Sequence, residues 1–272
     1  RRADERVHAA VHTAMLVALV SGFVLMGVGL VTARPILELI QTPDAVLDKA
    51  VLYLSIYFLG MPFIMVYNFG AAILRSIGDT NRPLICLTVS GVLNAGLNVF
   101  LVAVCGMDVD GVAIATVISN ALSSAILYFR LRTTAREVHV EPHLLRIDLG
   151  ILKRILRIGL PAGIQSGVFS LANIIIQSAI NSLGTVVMAA SSAAFNIEIF
   201  TYDIVNAFGQ ACTTFVGQNF GAGELKRCKK TLLLCLAEGA VILLAAIALI
   251  ISFGKPLLSI FNSDPEVIDI GY

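Results

Sequence analysis

Long apolar stretches alternate with short polar stretches along the whole chain, without the residue-by-residue alternation of a half-buried strand. A helix needs about 20 apolar residues to cross a bilayer, and only helices or closed barrels satisfy every backbone group in lipid. The pattern therefore predicts an all-α, polytopic membrane protein. We place seven spans at about residues 11–33, 50–74, 83–105, 110–129, 158–183, 187–217 and 231–253.

Charge distribution sets the orientation of these spans. Of the 272 residues, 57% are hydrophobic and only 14% are charged, and the net charge of +1 gives no indication of nucleic-acid binding. All but three of the nineteen lysines and arginines fall on one side of the predicted membrane; Arg34, Lys49 and Lys255 are the exceptions. The side rich in positive charge is the cytoplasmic one. We therefore expect a multi-pass protein of the cell (plasma or inner) membrane.

Two stretches repeat each other at a constant offset of 221 residues: ARPILELIQTPDAVLD from Ala33 and GKPLLSIFNSDPEVID from Gly254. Among the residues that the offset aligns are Arg34 with Lys255, Pro35 with Pro256, and Asp48 with Asp269. Both copies follow a predicted span in the same direction, which predicts parallel repeats.

The repeat predicts how the chain is organised. Residues 1–133 are the last four helices of an N-terminal six-helix lobe, and residues 134–150 are a polar cytoplasmic linker between lobes. Residues 151–272 are the first three helices of a C-terminal lobe and the start of a fourth. We therefore expect an internal fragment of a twelve-helix protein.

Several motifs together resemble the multidrug and toxic compound extrusion (MATE) family. They are LRSIGDTNRPLI (74–85), GVLNAGLNVFLV (91–102), DGVAIATVIS (110–119), RIGLPAGIQSG (157–167), INSLGTVVMAASSAAFNIE (180–198) and GQACTTFVGQNFGAG (209–223). The resemblance covers nearly the whole chain. It implies a two-lobe antiporter that exports amphipathic, often cationic compounds in exchange for H⁺ or Na⁺.

The resemblance also implies a cation site in the N-terminal lobe. Asn94 and Asn98 lie four residues apart and share one face of a helix, and Thr116 lies in the next span. Many relatives carry Asn and then Asp on this face, but here the second position is Asn98. A Na⁺ site at Asn94, Asn98 and Thr116 has therefore lost a charge. The alternative is an asparagine pair that only bridges helices. Some relatives also carry a glutamate where this chain has Phe169.

The sixth predicted span carries two carboxylates, Glu198 and Asp203, although a charge is costly inside a bilayer. They are five residues apart, about 140° around a helix, and do not share a face. Asp203 belongs to a polar stripe that we expect to line a cavity of the C-terminal lobe. The expected substrate-binding or cation-binding residues of this span are Asn196, Glu198, Asp203, Asn206 and Gln210. The alternative is that both carboxylates only form structural hydrogen bonds.

These observations favour a secondary active antiporter with no cofactor, no metal beyond the Na⁺ site, and H⁺ or Na⁺ as the coupling ion. Its partners are a small amphipathic or cationic substrate, a monovalent cation and the lipid bilayer, and the expected state is monomeric. A flippase for lipids or lipid-linked oligosaccharides is an alternative, but its cavity would be basic, and the predicted spans contain no Lys or Arg. A seven-helix receptor is a second alternative, which the repeat disfavours. The sequence shows no nucleophile–base pair, so we do not expect an enzyme.

Overall fold

The computed structural model describes residues 2–39, 44–133, 138–141 and 145–272 and contains only helices as regular structure within these ranges. The helices are α1 (Arg2–Leu39), α2 (Asp44–Leu59), α3 (Met61–Ser76), α4 (Asn81–Val99), α5 (Val109–Thr133), α6 (Leu149–Asn181), α7 (Thr185–Gly221), α8 (Leu225–Ser259) and α9 (Pro265–Gly271). Helix α4 continues into a π-helical turn, Phe100–Val104. The predicted all-α membrane fold is confirmed.

Several of these helices can cross a membrane by length and composition. In the part of the chain that the structure describes there are five, or six if the bent pair α2–α3 forms one span. The sixth predicted span lies in α7, which is 37 residues long. It is not among them because polar residues such as Asn196 and Asp203 lower its hydropathy. The count of seven spans therefore remains a prediction.

The chain divides into two compact units, Arg1–Ile158 and Gly159–Tyr272, and the division falls inside α6. The boundaries of the predicted lobes, with the linker at 134–150, remain a prediction, and residues 134–137 and 142–144 of that linker lie outside the described residues.

In the first unit, α1 packs against α2 and α3, and α5 packs against α2, α3 and α4. The largest buried side chains of the core include Leu74 on α3 and Leu127 and Leu131 on α5. Close packing of α1 on α3 depends on Gly22, because a Cβ atom there would lie 2.6 Å from the Cα of Pro62.

Prolines bend two of the helical segments. Helices α2 and α3 meet at an angle of 46°, with Gly60 before α3 and Pro62 in its first turn. Proline lacks an N–H donor and its ring clashes with the carbonyl four residues earlier, so Pro62 accounts for the bend. Helix α8 is also kinked: Phe253 has φ −124° and ψ 17°, and Pro256 lies three residues beyond it.

The sequence repeat is matched by the structure of its two copies. Helices α2 and α9 begin at Asp44 and Pro265, which are 221 residues apart. In the first copy Arg34 binds Asp48 at 3.3 Å. In the second copy Lys255 binds Asp269 at 2.6 Å. Two consecutive helices joined by an ion pair at equivalent positions therefore occur twice.

Another ion pair joins α2 to the segment before α5: Lys49 Nζ donates to a carboxylate oxygen of Asp108. This hydrogen bond lowers the pKa of Asp108 below its usual value, because it favours the charged carboxylate.

Candidate functional site

Helices α4 and α5 bring the three residues of the predicted N-terminal site together. The Nδ2 atom of Asn94 donates to Thr116 Oγ1 at 3.4 Å and to Ser119 Oγ at 3.1 Å. Asn98, one helical turn later, donates its Nδ2 hydrogen to Asn94 Oδ1 at 3.0 Å. We call the set Ser90, Asn94, Asn98, Thr116 and Ser119 the α4–α5 polar cluster.

Two serines of this cluster were not singled out in the sequence. Ser90 is buried and donates to the backbone oxygen of Ser119 at 2.7 Å, while the Ser119 hydroxyl donates to the Thr116 carbonyl at 2.9 Å. Their spacing contained the signal, since residues 90, 94 and 98 recur every four positions on one helix face. Nothing in that spacing identifies the partner helix.

One oxygen of the cluster has no hydrogen-bond partner. Within the described residues, Asn98 Oδ1 is buried and accepts no hydrogen bond. A buried polar atom without a partner costs about 1–3 kcal/mol. An amide oxygen can accept from a water or a donor group and can also ligate a cation. Asn94 Oδ1 already accepts from Asn98, so the free acceptor here is Asn98 Oδ1.

The second group of predicted residues lies on α7, where a cavity of about 650 Å³ separates α6 from α7. We call it the α6–α7 cavity. Its polar lining residues are Asn173, Gln177, Ser191, Ser192, Asn196 and Glu198. Among the residues that line it, Glu198 is the charged one. Apolar side chains such as Ile174 and Phe195 complete the wall.

Glu198 also borders a second cavity, of about 440 Å³, between α7, α8 and α9. This cavity is mostly apolar and lies beside the kink of α8, where the Tyr272 hydroxyl donates to the Ile251 carbonyl at 3.0 Å. Glu198 therefore adjoins two cavities on α7.

The other predicted residues of α7 lie elsewhere. Asp203, Asn206 and Gln210 line neither cavity, although they are exposed, as Glu198 is. Glu198 and Asp203 thus have different surroundings, as expected from their separation around the helix. Next to Asp203, Tyr202 stacks on Phe169 of α6 with ring centroids 6.4 Å apart.

Asn173 and Gln177 of the α6–α7 cavity are further residues that sequence reasoning missed. They are four residues apart on α6, so they share one face, and both line the cavity opposite Asn196 and Glu198. Their spacing was a usable signal, but uncharged amides did not stand out beside two carboxylates. In the described ranges no three His, Cys, Asp or Glu side chains are placed to hold a metal ion.

Comparison with known proteins identifies the family. The family model MatE matches residues 2–100 and 161–272. Among curated relatives, "Probable multidrug resistance protein YoeA" of Bacillus subtilis is 30% identical over 99% of this chain and 60% of its own length. "FAD transporter" of Shewanella oneidensis is 27% identical over 95% of this chain and 58% of its own length.

Solved structures agree on the fold. "Outward-facing conformation of a multidrug resistance MATE family transporter of the MOP superfamily" superposes with a TM-score of 0.89 at 24% identity, covering 99% of this chain and 61% of that one. "Crystal structure of MATE in complex with MaL6" also gives 0.89, at 23% identity, over 98% and 60% of the two chains. The chain spans about 60% of the length of the curated relative YoeA.

The motifs, the repeated helix pair and the match of the family model over most of the sequence lead to one conclusion: the chain is a multi-pass membrane protein that belongs to the MatE family of transporters.

Proposed function

We propose that this chain forms part of a secondary active antiporter that exports amphipathic cations in exchange for H⁺ or Na⁺. The observation that carries the proposal is Glu198, a carboxylate in the wall of the α6–α7 cavity. Intramembrane carboxylates are rare and mark substrate and ion pathways. Family membership supports transport as the activity.

The cavity lining favours an amphipathic cation as the substrate. A volume of about 650 Å³ lies in the range of drug-binding pockets, which are mostly apolar with a few placed polar groups. Ile174, Ile176 and Phe195 offer apolar contact, and Glu198 offers a negative charge. A lipid-linked or dinucleotide substrate carries phosphates, and this carboxylate would repel them. Because one relative is called "FAD transporter", a dinucleotide is the alternative substrate that should be compared with an amphipathic cation.

The coupling site is proposed in the same region. A carboxylate exchanges H⁺ or Na⁺ by gaining or losing its negative charge, whereas the α4–α5 polar cluster contains only neutral groups. We therefore assign the exchanged cation to Glu198 first and to Asp203 second. The α4–α5 polar cluster, with Asn98 Oδ1 free, is proposed as a weaker Na⁺ site.

Transport by reconstituted protein tests this function. The protein expressed from its complete reading frame is placed in proteoliposomes, and uptake of ethidium, a planar amphipathic cation, is followed under an imposed pH or Na⁺ gradient. We expect one gradient to accelerate ethidium movement. If a gradient accelerates the movement of FAD and not of ethidium, the proposed substrate class is wrong. If neither gradient changes the movement of ethidium, the proposed antiport is wrong. We expect the active species to be monomeric and to reside in the cell membrane.

A further inference from the structure

A buried histidine holds the segment before α6 against α1. His12 lies on α1 and is only 2% exposed. Its Nδ1 atom lies 2.7 Å from the His8 carbonyl oxygen. Its Nε2 atom accepts the backbone N–H of Glu141 at 3.1 Å. A side chain of α1 thus closes a contact across 129 positions of sequence.

The neighbouring contacts fasten the same segment. Thr13 is fully buried; its hydroxyl donates to the Arg146 carbonyl at 3.2 Å and accepts from the Asp148 N–H at 3.1 Å. Val138 and Val140, each 1% exposed, join the hydrophobic core of the first unit. Helix α6 begins at Leu149, directly after these contacts.

The partners of His12 determine which form of the ring fits. The His8 carbonyl can only accept a hydrogen bond, so Nδ1 must carry a hydrogen. The Glu141 N–H can only donate, so Nε2 must be unprotonated. The site therefore accepts the neutral ring with its hydrogen on Nδ1. A doubly protonated ring would point an N–H at the N–H of Glu141, and the hydrogen bond would be lost.

We propose that His12 is a proton-sensitive latch that holds residues 138–141 on α1 when neutral and loosens them when protonated. Histidine is the side chain whose ordinary titration lies nearest neutral pH. The ionisable groups that surround it are Glu5 and His8 on α1 and His139, Glu141, Arg146 and Asp148 on the segment before α6. This surrounding set is mixed in charge. The bond that breaks is the Glu141 N–H to Nε2 hydrogen bond, and the proton comes from solvent.

The latch lies at the cytoplasmic end of the first predicted span. A cavity of about 510 Å³, lined by Glu5, His8, His12, Arg146 and Asp148, adjoins the ring and gives protons a path to it. Loss of the Glu141 hydrogen bond would loosen residues 138–141, while Thr13 keeps Arg146 and Asp148 on α1. The proposal does not depend on the transported substrate or on Glu198, so it can fail while the proposed function holds, and the reverse.

Hydrogen exchange of the Glu141 amide tests the latch in the purified protein. Exchange is compared at about pH 7.5 and about pH 5.5, on either side of the range in which imidazoles titrate. His12→Gln is the informative variant, because the Gln amide oxygen can accept at the position of Nε2 but does not titrate in this range. His8→Gln is the matched control, since His8 is the half-buried neighbouring imidazole, with its ring 4.2 Å from that of His12.

We expect wild type and His12→Gln to protect the Glu141 amide equally at the higher pH. At the lower pH the protection factor of the Glu141 amide should be about tenfold lower in the wild type than in His12→Gln. A factor of this size is what the loss of one hydrogen bond implies. His8→Gln should behave as the wild type. Equal protection in wild type and His12→Gln at both pH values would overturn the latch, and so would loss of the pH effect in His8→Gln. The ¹⁵N shift of His12 in the wild type is an independent test, and a protonated Nε2 at the higher pH would refute the proposal.

Discussion

Asn98 and an aspartate differ by one group of atoms, and this difference decides what the α4–α5 polar cluster can bind. The Nδ2 group of Asn98 donates to Asn94, while its Oδ1 atom is buried without a partner in the described part of the chain. An amide oxygen attracts a cation only through its dipole. A carboxylate at the same place would attract it through a full charge, worth several kcal/mol at about 3 Å even with an effective dielectric constant of about 20.

Asn98→Asp should therefore strengthen Na⁺ binding. We expect the dissociation constant for Na⁺, measured by ²²Na⁺ binding to the purified protein, to fall at least about tenfold. Asn120→Asp, one residue along α5 from Ser119, adds the same charge outside the cluster and should leave Na⁺ binding unchanged. Equal affinity in the parent protein and Asn98→Asp would contradict a cation site in this cluster.

At the residue scale, the sequence predicted that Asn94, Asn98 and Thr116 lie together, because a helical period and a family motif both pointed to them, and the structure brings them into contact. Cation binding by these residues remains a prediction. Ser119, Asn173 and Gln177 were missed because neutral polar residues are common in membrane helices. Contacts across helices, such as His12 with Glu141, leave no local pattern in the sequence.

At the scale of helices, glycine positions decide how closely two helices approach. A Cβ at Gly22 of α1 would lie 2.6 Å from the backbone of Pro62 on α3. Gly27, in the same helix, has open space within 4 Å of such an atom in the described structure. Alanine substitution at Gly22 therefore tests close helix packing, and the same substitution at Gly27 tests only the helix propensity of glycine.

Gly22→Ala should destabilise the protein, because the added methyl meets backbone that cannot move aside. We expect a loss of about 1–3 kcal/mol, typical of overpacking, seen as a lower melting temperature in detergent. Gly27→Ala should leave stability unchanged or raise it, since alanine favours a helix by up to about 1 kcal/mol. If Gly22→Ala and Gly27→Ala have the same melting temperature, the close contact of α1 with α3 at Gly22 is wrong.

Helix positions followed from hydropathy, but helix ends did not. The last span was predicted at 231–253, whereas α8 extends over Leu225–Ser259. Hydropathy detects the part of a helix that lies in lipid, and a helix can continue beyond it into water. The predicted span at 50–74 corresponds to the bent pair α2–α3, whose bend Pro62 explains, because proline acts locally. The kink at Phe253 was not foreseen, although Pro256 lies close behind it.

At the scale of the whole molecule, the membrane orientation rests on the distribution of Lys and Arg. Two cysteines report on it. Cys105 is exposed at the end of the π-helical turn that follows α4, on the predicted outer side. Cys228 lies in the first turn of α8 on the predicted cytoplasmic side, with its thiol directed to the Val216 carbonyl at 3.6 Å.

A membrane-impermeant maleimide applied to intact cells should label a variant that retains only Cys105. It should not label a variant that retains only Cys228 until the cells are permeabilised. The reason is that charge places these residues on opposite faces. Labelling of Cys228 but not Cys105 in intact cells would reverse the topology.

The repeat is the feature of the whole molecule that the sequence predicted best. Arg34 with Asp48 and Lys255 with Asp269 form ion pairs at equivalent positions, 221 residues apart. These side chains are exposed, and exposed pairs contribute only about 0–1 kcal/mol. Their recurrence is thus evidence of shared ancestry between the two copies more than of stability.

The most direct test of the account concerns the charge of Glu198. The protein from its complete reading frame is reconstituted, and cation-driven efflux of ethidium is measured for Glu198→Gln, Asp203→Asn and the double variant. Each amide keeps the size of the side chain and removes its charge, and a neutral amide is cheaper to bury, so expression and folding should be preserved. We expect Glu198→Gln to abolish acceleration by the H⁺ or Na⁺ gradient, because we propose that the carboxylate of the α6–α7 cavity carries the exchanged cation. Parental transport rates in all three variants would contradict coupling through these carboxylates and leave them with a structural role.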